Sequence, residues 1–185
     1  MKRLIVFSDS HGNPELLRRA AGEHFGKPDN VGVIHLGDGY SDLAAIDTQG
    51  MTVWQVRGNC DEGIWGFGDR SDLPPRELMV ELDGWHILLM HGHTHGVKSG
   101  WERAAAYAHA RGADILMFGH THEMLEKYIP AGSDIGGVVT DRPMYIFNPG
   151  TAGVGIRRSY GVVDITPGGV LMSHAAGDPA RRARR

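Results

Sequence analysis

Leu4-Ile5-Val6-Phe7-Ser8-Asp9-Ser10-His11-Gly12-Asn13 begins as an unbroken apolar run and stops abruptly at a polar string. Such a run, with two β-branched residues inside it, predicts a strand buried on both faces that ends in a loop. Asn13, or the loop before it, is placed to cap a helix with Pro14 in its first turn. Leu16, Leu17, Ala20 and Ala21 then recur at helical spacing. The rhythm repeats outward. Residues 31–36 predict a second buried strand closed by Gly37-Asp38-Gly39, residues 41–49 a short helix, and residues 52–56 a third strand ending at Gly58-Asn59-Cys60-Asp61. Strand, loop, helix, strand is the pattern of an α/β fold with parallel pairing.

The middle changes character. Residues 77–82 and 85–90 flank Asp83-Gly84, a strong hairpin signal, and predict an antiparallel pair. Ser99 is placed to cap a helix over 100–110, with Trp101, Ala104, Ala105 and Ala108 on its core side. Residues 115–118 predict another buried strand, ending at Gly119-His120-Thr121-His122. Short runs at 144–147, 160–165 and 170–173 predict further antiparallel strands, and the glycine-rich segment 131–143 a flexible excursion. The architecture expected is a two-layered β core with helices on its outer faces.

Length and composition narrow the class further. The chain has 185 residues, 41% hydrophobic and 22% charged, which suits one globular domain and excludes a fibrous or disordered chain. No apolar run is long enough to span a membrane, and the short stretch after Met1-Lys2-Arg3 does not read as a signal peptide. With one cysteine, Cys60, there is no internal disulfide, and a reducing cytoplasm is the expected setting. Four of the 19 basic residues are Arg181, Arg182, Arg184 and Arg185, so residues 1–180 hold 15 basic against 22 acidic groups, a net of −7. An acidic body gives no general attraction to nucleic acid or anionic membranes; the arginine tail reads as a frayed, solvated terminus, with contact to RNA or an acidic partner as the alternative.

Five of the predicted strands end in metal-competent residues: Asp9 and His11, Asp38, Asn59, His91, and His120 with His122. In open α/β folds the carboxyl ends of neighbouring strands gather at one crevice, so these side chains are expected to converge. Taken singly, each has an ordinary reading as a cap, a turn residue or a solvated loop histidine. Taken together, they are hard to produce by turn chemistry. Carboxylate, imidazole and carboxamide without thiolate suit borderline divalent metals better than calcium or structural zinc. Seven ligands are too many for one ion and suit two, with a carboxylate shared. Two ions about 3.5–4 Å apart are the usual apparatus for attack on phosphorus. In an extended segment the pairs Asp9/His11 and His120/His122 would each point one way, and so would His91, His93 and His95.

Asp9-Ser10-His11, Gly37-Asp38, Gly58-Asn59-Cys60-Asp61, His91-Gly92 and Gly119-His120-Thr121-His122 resemble, in order and spacing, the five motifs of the calcineurin-like metallophosphoesterases. The resemblance covers roughly residues 3–151. The short length, the Gly-Asn-Cys-Asp form and Asn148-Pro149-Gly150-Thr151 are most similar to the small prokaryotic phosphodiesterase branch, which is related to the retromer scaffold subunit. The resemblance implies a four-layer α/β/β/α sandwich of two mixed β-sheets flanked by helices. It implies a first metal on Asp9, His11, Asp38 and His122, and a second on Asp38, Asn59, His91 and His120, with Asp38 bridging. Manganese is the first expectation for both ions, with iron, cobalt, nickel or zinc as alternatives. The implied activity is hydrolysis of a small phosphodiester by a metal-bound hydroxide, with Asp38 and Asn59 in the catalytic set; His93, two residues after His91, is added to it from its spacing as a candidate for contact with substrate or with the ligands, the alternative being a solvated loop histidine. The alternatives are a phosphomonoesterase on the same site and a non-catalytic, retromer-scaffold-like interaction protein.

The strings Gly37-Asp38-Gly39-Tyr40-Ser41-Asp42 and Cys60 depart from the protein-phosphatase branch and disfavour that activity. Arg57 is a candidate phosphate ligand or a sheet-edge salt bridge, and segment 131–143 shapes access to the site or is an ordinary surface loop. Asp61 is expected to orient a neighbouring histidine. Cys60 is expected to be buried and turned away. His24, His35, His86, His109 and His174 read as structural. The domain organisation expected is one metallophosphoesterase domain over 1–177 and a basic tail over 178–185, with a homodimer through exposed apolar strands as a candidate assembly.

Overall fold

A computed structural model describes residues 1–62 and 73–177; the basic tail lies outside them. Strands β1 (Lys2–Phe7), β2 (Asn30–His35) and β3 (Thr52–Gln55) are separated by helix α1 (Glu15–His24) and a 3-10 turn at Tyr40–Ala45. The hairpin β4 (Glu77–Leu82) and β5 (Trp85–Met90) follows, then helix α2 (Glu102–Ala110) and strands β6 (Ile115–Phe118) and β7 (Met124–Ile129). The short pair β8 (Asp134–Ile135) and β9 (Val138–Val139) leads into β10 (Met144–Pro149), β11 (Ser159–Thr166) and β12 (Gly169–Ala176).

Two mixed five-stranded sheets result, in the orders β12-β11-β1-β2-β3 and β4-β5-β6-β10-β7. The expected four-layer sandwich is therefore what the chain forms. Alternation along the strands explains it. Leu4 and Val6 of β1 meet Ile87 and Leu89 of β5 in the core between the sheets. Ile5 and Phe7 face α1, while Leu88 and Met90 face α2. Strands covered on both faces must be apolar throughout, which is why they read as continuous runs.

Several expectations needed correction. The helix over 41–49 is the 3-10 turn Tyr40–Ala45, and only Leu43 of it is buried, too small an apolar face to hold a longer helix. Ser99 does not cap α2; it sits in a separate 3-10 turn, and Trp101 occupies the cap position without a side-chain bond. Pro14, not Asn13, is the cap residue of α1. Strand β3 is an edge strand with Thr52 and Val53 exposed. Strand β7 was not foreseen, because its largely exposed residues carry no apolar signal. β10 pairs parallel with β6, although it is antiparallel to β7. Segment 131–143 is no flexible excursion: Ile135 is buried against α2, and Thr140 bonds back to Pro130 and Ser133.

β1 and β2 run parallel, as do β5, β6 and β10 in the other sheet. Each parallel group sends its carboxyl ends to one edge, and the polar loops named above begin there. The sheets close on each other through residues such as Phe147, fully buried and stacked on His174 with ring centroids 4.8 Å apart. Gly161 leaves room for that ring; a Cβ there would overlap it. Phe147→Ala should cost about 3–5 kcal/mol in urea-induced unfolding, the usual range for a buried aromatic, and a loss below about 1 kcal/mol would show that the two sheets do not depend on this contact.

Candidate metal centre

The loops at the strand ends do not continue the extended alternation on which the spacing argument rested. Asp9, His11, Asp38, His120 and His122 all have positive φ, between 50° and 67°, and among the described residues only Gln49 and Asp83 join them outside glycine. Asp and His tolerate this region better than branched residues, but it still costs of order 1 kcal/mol or more each. The five therefore converge through left-handed turns, not through strand geometry.

Among the described residues three groups of ligand atoms form, each within 4.8 Å: Asp9, His11 and His122; Asp38, His91 and His120; and His11, Asp38 and Cys60. Each carboxylate spends one oxygen on the protein and turns the other toward imidazoles. Asp9 Oδ2 accepts the Ser8 hydroxyl at 2.5 Å and the His120 backbone N–H at 3.0 Å. Its Oδ1 is buried with no hydrogen-bond partner, although His122 Nε2 lies 3.1 Å away, off the bonding direction. His11 and His91 Nε2 stand 3.8 and 4.0 Å from the same oxygen. Asp38 Oδ1 accepts the Cys60 N–H at 2.7 Å, while Oδ2 lies 3.3 Å from His91 Nε2 and 4.0 Å from His11 Nε2.

His91 shows what the centre is built to accept. Its Nδ1–H donates to the Leu36 carbonyl at 2.8 Å, so in the neutral ring Nε2 carries a lone pair. That lone pair faces Asp38 Oδ2 and, at 3.1 Å, His120 Nδ1. A buried ring nitrogen facing a carboxylate and a second imidazole, with the other nitrogen fixed by a backbone carbonyl, is the arrangement of a metal-ligating histidine. An orphaned carboxylate oxygen among three imidazoles makes the same demand. The residues present fit divalent cations.

The protonation preferences follow from this crowding. Burial works to raise the Asp9 pKa, but His122, His91 and Ser8 outweigh it and hold the carboxyl below its usual range. Burial likewise opposes ionisation of Asp38, and His91 with the Cys60 amide overcomes it. Burial and the charge of His91 push His120 down to about 4.

Supporting residues hold these turns, and most carry no motif signal. Asp61 was expected to orient a histidine; instead its carboxylate accepts the N–H groups of Asp38 and Gly58 at 2.7 Å and of Gly39 at 2.8 Å. Fully buried His35 bonds Ser10 Oγ, which also donates to Asp42. Asn148 Nδ2 reaches Gly119 O and Thr121 Oγ1, and Thr151 Oγ1 donates to the Asp9 carbonyl. The motif 148–151 thus ties the loop of His120 to that of Asp9. Ser8 and Ser10 beside Asp9 were the signal that could have found part of this network.

The remaining candidates divide. His93 is close, its ring 5.4 Å from that of His91 and 6.1 Å from His120. His95 is not, because residues 93–95 form a 3-10 turn and not an extended segment; it meets Tyr107 and Glu77. Asn59 is exposed and its Nδ2 donates to Cys60 Sγ at 3.3 Å. Cys60 is exposed, not buried, and a 3-10 turn over Cys60–Glu62 brings its sulfur within 4.8 Å of His11 and Asp38 ligand atoms. Partial desolvation and the Asp38 carboxylate push the thiol up to about 11. Arg57 is engaged by Glu62 at 3.1 Å and the Pro74 carbonyl at 2.8 Å, the salt-bridge reading. Away from the centre, His24 bonds Tyr160, His86 and His109 meet Asp114 and Asp141, and His174 contacts Asn148.

Comparison with known proteins agrees with this geometry. The calcineurin-like phosphoesterase superfamily domain matches residues 1–168. The probable metallophosphoesterase YsnB of Bacillus subtilis is 34% identical over 119 residues, which span 64% of this chain and 63% of that protein. A structure described as a novel archaeal phosphodiesterase superposes with a TM-score of 0.66 at 17% identity, covering 94% of this chain and 99% of the other. Zinc-complexed wild-type Vps29 from Entamoeba histolytica gives 0.62 at 21% identity, covering 94% and 98%. At these identities the two structures establish the fold.

Removing the Asp61 carboxylate strands three backbone donors beneath Asp38. Asp61→Ala should lower stability by about 1–3 kcal/mol and weaken divalent-ion binding, with Asp61→Asn intermediate, as read by thermal melts with and without added manganese. Unchanged melts in both variants would remove Asp61 from the support of the centre.

Proposed function

The chain belongs to the calcineurin-like phosphoesterase superfamily, and from that premise we propose that it is a phosphodiesterase dependent on two divalent ions. Asp9, His11 and His122 with Asp38 would hold one ion, and Asp38, Asn59, His91 and His120 the other. The observation that carries this reading is the Asp38 side chain. Its Oδ1 is fixed by the Cys60 amide, and its Oδ2 is in reach of His11 on one side and His91 on the other. When bound, such a pair of ions supplies an activated water at neutral pH and neutralises phosphoryl oxygens. Manganese is the ion expected first; iron, cobalt, nickel and zinc share the same nitrogen and oxygen preference.

The chain's own residues supply orientation and protons. The Cys60 amide and the Ser8 hydroxyl each fix one oxygen of the Asp38 and Asp9 carboxylates, so neither reorganises as charge develops. Burial, with the charge of His91, favours neutral His93, whose ring lies beside that of His91, and we assign it a contact with the substrate or the departing oxygen. The nucleophile is assigned to water and not to Cys60, whose thiol pKa is pushed up by partial burial and the Asp38 carboxylate. Substrate is a small phosphodiester. A cytoplasmic setting fits the single cysteine.

Elemental analysis should find two ions per chain, and Asp38→Ala should lose both along with nearly all hydrolysis of nitrophenyl phosphodiesters. Matched mono- and diesters decide the ester class. One ion per active chain, or an active Asp38→Ala protein, would refute the dinuclear reading; a folded, metal-loaded chain inert toward every ester would favour the Vps29-like scaffold role.

A thiol at position 60 is also a poor general acid, and proton donation to a leaving group is typically worth about 10²–10⁴ in rate. A plot of log rate against leaving-group pKa should be steep for the parent and flatter for Cys60→His. A flat parent line would show that another acid, with His93 the first candidate, already acts.

A further inference from the structure

The turn that carries His120 and His122 has a second side. Thr121, between them, lines a groove of about 560 Å³ together with residues 97–101 and 123–125 and the end of β6 at Phe118. That volume is in the range of small-molecule sites, about 300–1,000 Å³. Its walls are Val97, Trp101, Phe118, Met124 and Leu125, with Met124 48% exposed. Val97 and Phe118 are buried behind the wall, so the accessible apolar surface is that of Met124 and the half-buried Trp101 and Leu125.

Two polar groups connect the groove to phosphate chemistry. Thr121 Oγ1 accepts from Asn148 Nδ2 at 3.1 Å and from the Glu123 N–H at 3.2 Å. A hydroxyl has two acceptor sites and one proton, so Thr121 is left to act as a donor. Lys98 lines the same groove as Thr121. Glu123 is also on the wall, beside Thr121. Lys127 stands over the Trp101 ring at 4.7 Å, holding the indole in place. Thr121 and Lys98 thus offer donors to an anion, and Trp101, Met124 and Leu125 an apolar wall beside them.

We propose that this groove is the subsite for an aromatic substituent of the phosphoester, with Trp101 and Met124 as the residues that set its specificity and Lys98 and Thr121 as donors to the phosphoryl oxygens. The proposal rests on the phosphoesterase reading above. It makes the enzyme selective for esters that carry a ring, such as aryl or nucleobase-bearing diesters, over those with small alkyl groups.

Calorimetric titration of the manganese-loaded protein with methylphosphonate and phenylphosphonate separates the two ideas. Phenylphosphonate should bind about ten-fold more tightly, the worth of burying a small apolar area. Trp101→Ala should remove most of that ratio while leaving methylphosphonate affinity in place. Met124→Glu, at an exposed position, should do the same if Trp101→Ala does not fold. Lys98→Ala should weaken both ligands alike. If methylphosphonate binds but the ring confers no advantage, or the advantage survives in the folded groove variants, the groove assignment is wrong and the phosphoesterase reading stands. If neither phosphonate binds, the phosphoesterase reading falls and the groove with it.

Discussion

Two carboxylates, each with one oxygen tied to the protein and the other facing imidazole nitrogens, form a cluster that repels itself unless positive charge is shared among its members. Asp9 Oδ1 is buried without a hydrogen-bond partner, and His91 Nε2 faces an oxygen and a second imidazole. Burying unpaired acceptors and charges of this kind is costly. The surrounding structure is organised to keep them there regardless: backbone amides of Cys60 and His120, the Ser8 hydroxyl and the Leu36 carbonyl each remove one degree of freedom.

The fold makes this affordable by separating support from chemistry. The inter-sheet core and the two helix-facing clusters are apolar and fully packed, and they end where the strands end. The left-handed turns of the ligand residues gather at one edge, held by Asp61, Asn148 and Thr151. Close approach of these loops also explains the glycines at the motifs. A Cβ at Gly58 would overlap Asp38, and one at Gly119 would overlap Ser8.

The neighbouring surface is less uniform than the centre. On one side the thiol of Cys60 stands near His11 and Asp38; on another the apolar groove of Trp101 and Met124 opens beside Thr121.

Much of this protein was legible in its sequence. The two-sided apolar runs set the strand positions and both sheets, because a strand covered on both faces has no polar residues to interrupt it. Asp83-Gly84 marked its hairpin, and the order of Asp9, His11, Asp38, His91, His120 and His122 named the chemistry. Strand β7 was not legible, since its residues are largely exposed, and neither was the parallel pairing of β10 with β6, which depends on a partner distant in sequence. Directions were the other omission. Extended alternation would have sent Cys60 away and brought His95 in; 3-10 turns at both places reverse this. Sequence determined which ligand types stand at which strand ends, because those follow from local pattern. Only the tertiary structure decided where each side chain points, because left-handed and 3-10 turns are fixed by the amides, carboxylates and glycines they meet across the fold.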